Sequence, residues 1–119
     1  MPYDIHQEKT YSQSVADVHA AALKSVAALK GKFVSSKPEE YRFEVKFDKT
    51  VLGKVLGDRS QMTCVVVAEG EGSKVVIDGY PLDAIGRKLM FGARVGVTQT
   101  VINWFIEHLE KNLTTTVIE

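Results

Sequence analysis

The alternating pattern between Tyr41 and Asp48 constrains the fold more strongly than any other feature of this sequence. The odd positions from 41 to 47 are aromatic or aliphatic, and the even positions from 42 to 48 all carry charge. A period of two residues indicates a β-strand with one face in the protein and the other in water. Because parallel strands are usually buried on both faces and apolar throughout, the pattern favours an antiparallel sheet covered on one side.

Other segments supply the neighbouring strands of this sheet. Residues 62–69 and 74–80 are rich in β-branched residues, and the glycines at 70 and 72 between them permit the tight turn of a hairpin. Residues 3–11 predict an edge strand, and residues 33–36 predict a short strand. For residues 49–60 the sequence leaves two alternatives open, a loop or a short extra pair of strands.

A first amphipathic helix is predicted after Ser14. Ser14 followed by Asp17 resembles a capping box, in which the hydroxyl accepts from a free amide of the first turn. Helical spacing gathers one apolar stripe, which consists of Val15, Val18, Ala22, Val26 and Leu29. We expect Gly31 to adopt the left-handed conformation that ends the helix after Lys30.

A second, longer helix is predicted from Val97. Its broad apolar face contains Val101, Ile102, Phe105, Ile106, Leu109 and Leu113. The preceding residues 82–96 include three glycines, which disfavour a continuous helix there. Residues 114–119 are predicted to be a frayed C-terminal tail.

The order of these elements predicts a single α+β domain over residues 1–113. The order is β-α-β-β-β-β-α, which gives two layers: a five-stranded antiparallel sheet and two helices packed on one of its faces. Both helix stripes are expected to meet the row formed by Tyr41, Phe43, Val45 and Phe47.

Composition excludes several classes of function. The 15 basic and 15 acidic residues balance, so the chain lacks the basic excess typical of proteins that bind nucleic acid, although a local basic patch stays open. Cys64 is the single cysteine, which fits a reducing compartment and a buried, structural role. No segment resembles a leader peptide or approaches ~20 apolar residues, so we expect a cytoplasmic protein without integral membrane association.

The sequence predicts no catalytic residue, no metal site and no cofactor. His6, His19 and His108 are far apart and lack the spacing of metal ligands. His19 falls at the margin of the first helix's apolar stripe, where a boundary residue is expected. The glycine-containing segments match neither the dinucleotide fingerprint nor the phosphate-loop pattern.

Two features at the second helix allow a functional interpretation. Arg87 and Arg94 flank large apolar residues that include Phe91, so this segment either plugs the end of the sheet or lies over a pocket and contacts an anionic headgroup. Trp104 falls off the helix's apolar stripe beside His108, where it packs on residues 49–60, anchors a subunit contact or lines a cavity mouth. Apolar residues on the outer face of the sheet, Val65, Val67, Val76 and Tyr80, favour a homodimer as one alternative.

The run from Gly57-Asp58 through residues 72–77 and Phe91-Gly92 to a final amphipathic helix resembles a group of small uncharacterised bacterial domains. Their architecture is similar to reduced relatives of the START and pollen-allergen helix-grip superfamily, or to one half of the TATA-binding-protein fold. The first resemblance implies binding of lipids or other apolar molecules between sheet and helix. The second implies DNA contact through the open face of the sheet, whose mixed charges argue against nucleic acid as a partner.

The leading hypothesis is a non-enzymatic domain that binds a small apolar or amphipathic, lipid-like ligand between the sheet and the C-terminal helix. The predicted lining and headgroup residues are Phe43, Val45, Phe47, Arg87, Phe91, Arg94, Val101 and Phe105. The alternative is a protein-interaction or homodimerising module without a small-molecule ligand, with an interface at Trp104 and His108.

Overall fold

The computed structural model describes residues 4–90 and 96–118, with side chains of the last helix described as far as Leu113. Its elements are β1 (Ile5–Tyr11), α1 (Val15–Ala28), β2 (Lys32–Lys37), a 3-10 turn (Pro38–Glu40), β3 (Arg42–Phe47), β4 (Thr50–Val51), β5 (Lys54–Val55), β6 (Arg59–Glu69), β7 (Gly72–Leu82) and α2 (Val97–Ile118). The frayed tail expected at 114–119 and the 1–113 domain boundary stay predictions.

The strands form a five-stranded antiparallel sheet in the order β1-β7-β6-β3-β2. The β6–β7 hairpin is the longest pairing, running from Arg59 opposite Leu82 to Glu69 opposite Gly72. Residues 49–60 contain a separate two-stranded pair, β4 with β5, so this segment forms the short extra pair of strands and not a loop without strands. The α+β fold class and the five-stranded sheet are therefore confirmed.

Both helices cover the same face of the sheet and contact each other along their length. The Ser25 hydroxyl donates to the carbonyl of Phe105 at 2.6 Å, and the Asn112 amide donates to the carbonyl of Ala21 at 3.2 Å. The later residue of α1, Ser25, contacts the earlier residue of α2, and the earlier residue, Ala21, contacts the later one, so the helices run antiparallel. The core between the layers includes every residue of the predicted α1 stripe except Val15, which is half-buried at its edge.

Tyr41 does not belong to the buried row that the alternating pattern predicts. Phe43, Val45 and Phe47 are at most 1% exposed, but Tyr41 is 36% exposed. Its backbone has a φ of 52°, because it closes the 3-10 turn after Pro38 with its amide donating to the Pro38 carbonyl. The strand therefore begins at Arg42, and Tyr41 lies at the rim of the core.

Lys30, not Gly31, adopts the left-handed conformation at the end of α1. Lys30 has a φ of 58°, its amide donates to the carbonyl of Ala27, and the amide of Gly31 donates to the carbonyl of Val26. This is the Schellman arrangement, in which glycine usually occupies the position that Lys30 has here. Gly31 is instead needed for space, because a Cβ there would lie 2.7 Å from Val45 Cγ2. The expected role of Gly31 is thus wrong in detail.

Candidate functional site

The predicted lining residues that the structure describes come together between the sheet and α2. Phe43, Val45 and Phe47 lie on the inner face of β3, and Val101 and Phe105 lie on α2; none is more than 1% exposed. The rings of Phe43 and Phe105 meet edge to face, with centroids 6.4 Å apart. These side chains pack against one another, so an occupant of this space would have to displace part of the packing.

The start of α2 lies close against the sheet. A Cβ at Gly79 on β7 would lie 3.0 Å from Ile102 Cδ1, so the absent side chain lets α2 approach. On β6, the Ser60 and Thr98 hydroxyls are 3.0 Å apart in a buried hydrogen bond. This end of the helix is therefore held in place by direct contact with two strands.

The segment before α2 is only partly described. Arg87 is exposed, and its backbone amide donates to the Asp83 carboxylate at 2.9 Å. That hydrogen bond and a second one from the Ile85 amide hold the pKa of Asp83 below its usual range, with the Arg87 contact the larger cause. Phe91 and Arg94 lie outside the described residues, so the proposed role of this segment in headgroup contact stays a prediction.

Trp104 and His108 are neighbours on the outer side of α2. Trp104 is half-buried and packs against the edge of the core, and His108 Nδ1 donates to the Trp104 carbonyl at 2.9 Å. Their predicted role in a subunit interface stays a prediction. On the sheet's outer face, Val65, Val76 and Tyr80 are half-buried and Val67 is 38% exposed.

His19 is a buried polar group inside the apolar layer. It is 7% exposed and stands edge-on to the Tyr41 ring at 5.4 Å, and its Nε2 atom has no hydrogen-bond partner among the residues that the structure describes. Burial lowers the pKa of His19, because the charged imidazolium loses its hydration there. The sequence placed His19 at the margin of the stripe, but it gave no sign that Nε2 would be left unpartnered.

His6 forms an exposed network on the outer face of the sheet. Its Nδ1 lies 2.6 Å from Asp78 and its Nε2 lies 2.8 Å from Glu8, because β1 pairs His6 directly with Asp78 of β7. The hydrogen bonds to Asp78 and then to Glu8 raise the pKa of His6. With a carboxylate on each ring nitrogen, this imidazole has no free nitrogen to serve as a general base.

The pKa of His6 is expected to lie above the ordinary histidine value of 6.5, and the pKa of His19 is expected to lie below it. Protonated His6 stabilises the fold at low pH, and this contribution is lost as the pH rises through its raised folded pKa. Neutral His19 stabilises the fold above pH 6.5, and this contribution is lost as the pH falls toward its lowered folded pKa. NMR titration of the ring protons measures both midpoints. Asp78→Asn should lower the His6 midpoint and leave that of His19 unchanged; midpoints in the reverse order would contradict the assignment.

A recess of about 160 Å³ lies at the end of the sheet next to the C-terminus of α1. It is lined by Lys30, Lys32, Lys46, Phe47, Asp48 and Arg59. The Arg59 guanidinium donates to the carbonyl of Ala84 at 2.8 Å, and both residues line a neighbouring recess as well. The sequence allows a local basic patch but does not show where it lies, because three separate segments of the chain contribute its cations.

The described part of the chain shows neither a metal-binding cluster nor a helix suited to span a membrane. No group of three or more histidine, cysteine or carboxylate side chains is placed to hold a metal ion there. Neither helix has the length and apolar character needed to cross a bilayer, over the same residues. Cys64 is fully buried, and burial raises the pKa of its thiol to about 12, as expected of a structural cysteine.

Comparison of the structure with solved structures identifies the fold. Ara h 8.0201 matches with a TM-score of 0.72 at 11% identity over 98% of this chain and 99% of that chain. CV1439 from Chromobacterium violaceum matches with a TM-score of 0.60 at 13% identity over 98% of each chain. CalU16 from Micromonospora echinospora matches with a TM-score of 0.57 at 10% identity over 97% of this chain and 78% of that chain. No family model and no curated protein matches the chain by sequence.

These structures are helix-grip proteins of the START and pollen-allergen type, and each match covers nearly the full length of this chain. The chain therefore has the helix-grip fold, which confirms the first of the two resemblances. At 10–13% identity the likeness defines the fold alone. In this chain a single helix, α1, follows the first strand.

Proposed function

We propose that this protein binds a small apolar or amphipathic ligand between the sheet and α2 and that it does so without catalysing a reaction. Helix-grip proteins typically bind hydrophobic ligands in a cavity at this place. The observation that carries the proposal is the continuous apolar surface formed by the inner face of β3 and by α2, with Phe43 against Phe105. We place the protein in the cytoplasm.

His19 gives this space a polar anchor. Its Nε2 atom is buried beside the Phe43 ring, whose centroid lies 6.2 Å from that of the imidazole. Within the described part of the chain this atom has no hydrogen-bond partner. A buried polar atom without a partner is costly, and a hydroxyl or carboxyl group of a ligand would remove that cost. An amphipathic molecule therefore suits the site better than a pure hydrocarbon.

The proposal is tested by titrating the protein with dodecanol and following the valine methyl signals by NMR. Binding between the layers should shift the signals of Val45 and Val101, which are 0% and 1% exposed. Val65 and Val67 on the outer face are internal controls. Shifts confined to the outer-face methyls, or no shift at all up to the solubility limit, would overturn the proposal.

Arg87 and Arg94 are proposed to contact an anionic headgroup. Arg87→Gln should weaken binding of dodecanoate and leave binding of dodecanol unchanged, because only the carboxylate loses a charge-assisted hydrogen bond. Native mass spectrometry of the purified protein with each ligand measures the two affinities. An equal loss for both ligands would contradict a headgroup role.

A homodimerising module is the second candidate, favoured by Val67, which is 38% exposed on the sheet, and by the half-buried Trp104. Sedimentation velocity tests it at high protein concentration. A strictly monomeric species would exclude it, whereas a dimer that Trp104→Ala dissociates would support it.

A further inference from the structure

We propose that the recess beside the C-terminus of α1 binds the phosphate group of a small, soluble molecule. The recess is formed by Lys30 in the α1–β2 turn, by Lys32 at the start of β2, by Lys46 on β3, and by Arg59 at the start of β6. It shares only Phe47 with the proposed lining of the space between the layers, and its charged residues all lie outside that space, so this inference stands or falls independently of the proposed apolar ligand.

The register of the sheet forces two of these cations together. Lys32 is directly opposite Lys46 in the β2–β3 ladder, and both side chains lie on the outer face. Like charges directly opposite each other in an antiparallel pair destabilise the sheet. An anion bound between the two ammonium groups would attract both of them and so offset their mutual repulsion.

Little negative charge in the protein balances the recess. The ion pairs of the described residues involve Lys9, Lys74, Lys88 and His6, and none of the three recess lysines. Asp48 is the one carboxylate among the lining residues, and its Oδ1 accepts a hydrogen bond from the amide of Lys49. Arg59 also lines a neighbouring recess that contains Asp58 and Asp83. Among the described lining residues, the three lysines therefore still outnumber the one carboxylate, and a multiply charged anion would neutralise this excess of positive charge.

The kinds of donor in the recess fit phosphate better than a carboxylate. Lysine ammonium groups act as mobile point charges with three donors each, and arginine presents a planar fork that matches phosphate oxygens. The Arg59 guanidinium also donates at 2.8 Å to the carbonyl of Ala84, a residue of the neighbouring recess, so the three lysines are the principal donors for an anion here. The volume of about 160 Å³ leaves room for a phosphate group and part of the molecule that carries it.

The same strand pair contains its own control. Lys37 is directly opposite Arg42 at the other end of the β2–β3 ladder, which is a second cross-strand pair of cations outside the recess. Lys32→Gln/Lys46→Gln and Lys37→Gln/Arg42→Gln remove the same charge from the same two strands. The comparison therefore separates binding in the recess from general attraction of anions to a basic edge.

Calorimetric titration with inorganic pyrophosphate, at fixed ionic strength in chloride buffer, tests the proposal. Lys32→Gln/Lys46→Gln should weaken binding at least about tenfold, the usual effect of losing one charge-assisted hydrogen bond, and the control variant should bind like the wild type. Without pyrophosphate, the recess variant should also unfold at a higher temperature than the wild type, because the repulsion between Lys32 and Lys46 is removed. Circular dichroism confirms that both variants are folded.

Three outcomes would overturn the proposal. The first is no heat of binding at millimolar pyrophosphate, and the second is an equal loss of affinity in the two double variants. The third is a wild-type protein that binds vesicles containing phosphatidic acid in sedimentation but does not bind free pyrophosphate, which would assign the cations to a lipid surface. Retained dodecanol binding in the recess variant would show that the site between the layers is unaffected.

Discussion

Phe105→Ala is expected to lower the free energy of unfolding by about 3–5 kcal/mol, the range found when a buried aromatic side chain is cut back to alanine. Phe105 is 0% exposed and meets Phe43 edge to face between the two layers. The variant loses this contact and leaves a cavity that its neighbours cannot fill. Urea unfolding with linear extrapolation measures the difference.

Glu107→Ala is the matched control, since it lies two residues further along the same helix on the exposed side. Its free energy of unfolding should stay within about 0.5 kcal/mol of the wild type. The cavity in Phe105→Ala should also take up a small apolar molecule such as benzene, as engineered apolar cavities do. A loss below about 1 kcal/mol in Phe105→Ala would mean that the layers are not packed together at this point.

The parts of the fold that the sequence predicts are those with local causes. The alternation at 42–47 marks one strand, the glycines at 70 and 72 allow one turn, and the Ser14 hydroxyl accepts from the Asp17 amide at 3.2 Å as the capping pattern requires. Each of these signals depends on residues a few positions apart. The two-layer arrangement follows because only one face of each element is apolar.

The parts that sequence reasoning missed depend on strand register. The contact of His6 with Asp78 joins residues 72 positions apart, and it exists because β1 pairs with β7 in one particular alignment. The same holds for Lys32 opposite Lys46, which requires the β2–β3 register. Hydrophobic periodicity fixes which face a side chain takes, but it does not say which residue of another strand lies opposite.

Sequence reasoning located the apolar part of the candidate site, while its role in binding stays a prediction. Five of the eight predicted lining and headgroup residues lie together in the core, because the apolar faces of β3 and α2 follow from periodicity alone. The sequence predicts a boundary position for His19, because a residue at the edge of a helical stripe can be either buried or exposed. Its burial is decided by the packing of Tyr41 and Phe43 around it, which is a property of the tertiary structure.

Adjacent substitutions at the end of α1 are expected to have opposite effects on stability. Gly31→Ala should lower the free energy of unfolding by about 1–3 kcal/mol, the usual cost of adding a methyl group to a packed core. The new Cβ would lie within 3.0 Å of Val45, Phe47 and Val26, all of them buried. Their positions are fixed by the sheet and by α1, so none of them can withdraw without disturbing the core.

Lys30→Gly should instead raise the free energy of unfolding, by about 0.5–1 kcal/mol. A left-handed conformation costs a residue with a side chain about 1–2 kcal/mol and costs glycine almost nothing. Glycine also raises the entropy of the unfolded chain, which cancels part of this stabilisation. Chemical denaturation of both variants beside the wild type checks the pair. If Gly31→Ala were the stabilising change and Lys30→Gly the damaging one, Gly31 would be the residue that ends the helix, and the Schellman assignment of Lys30 would be wrong.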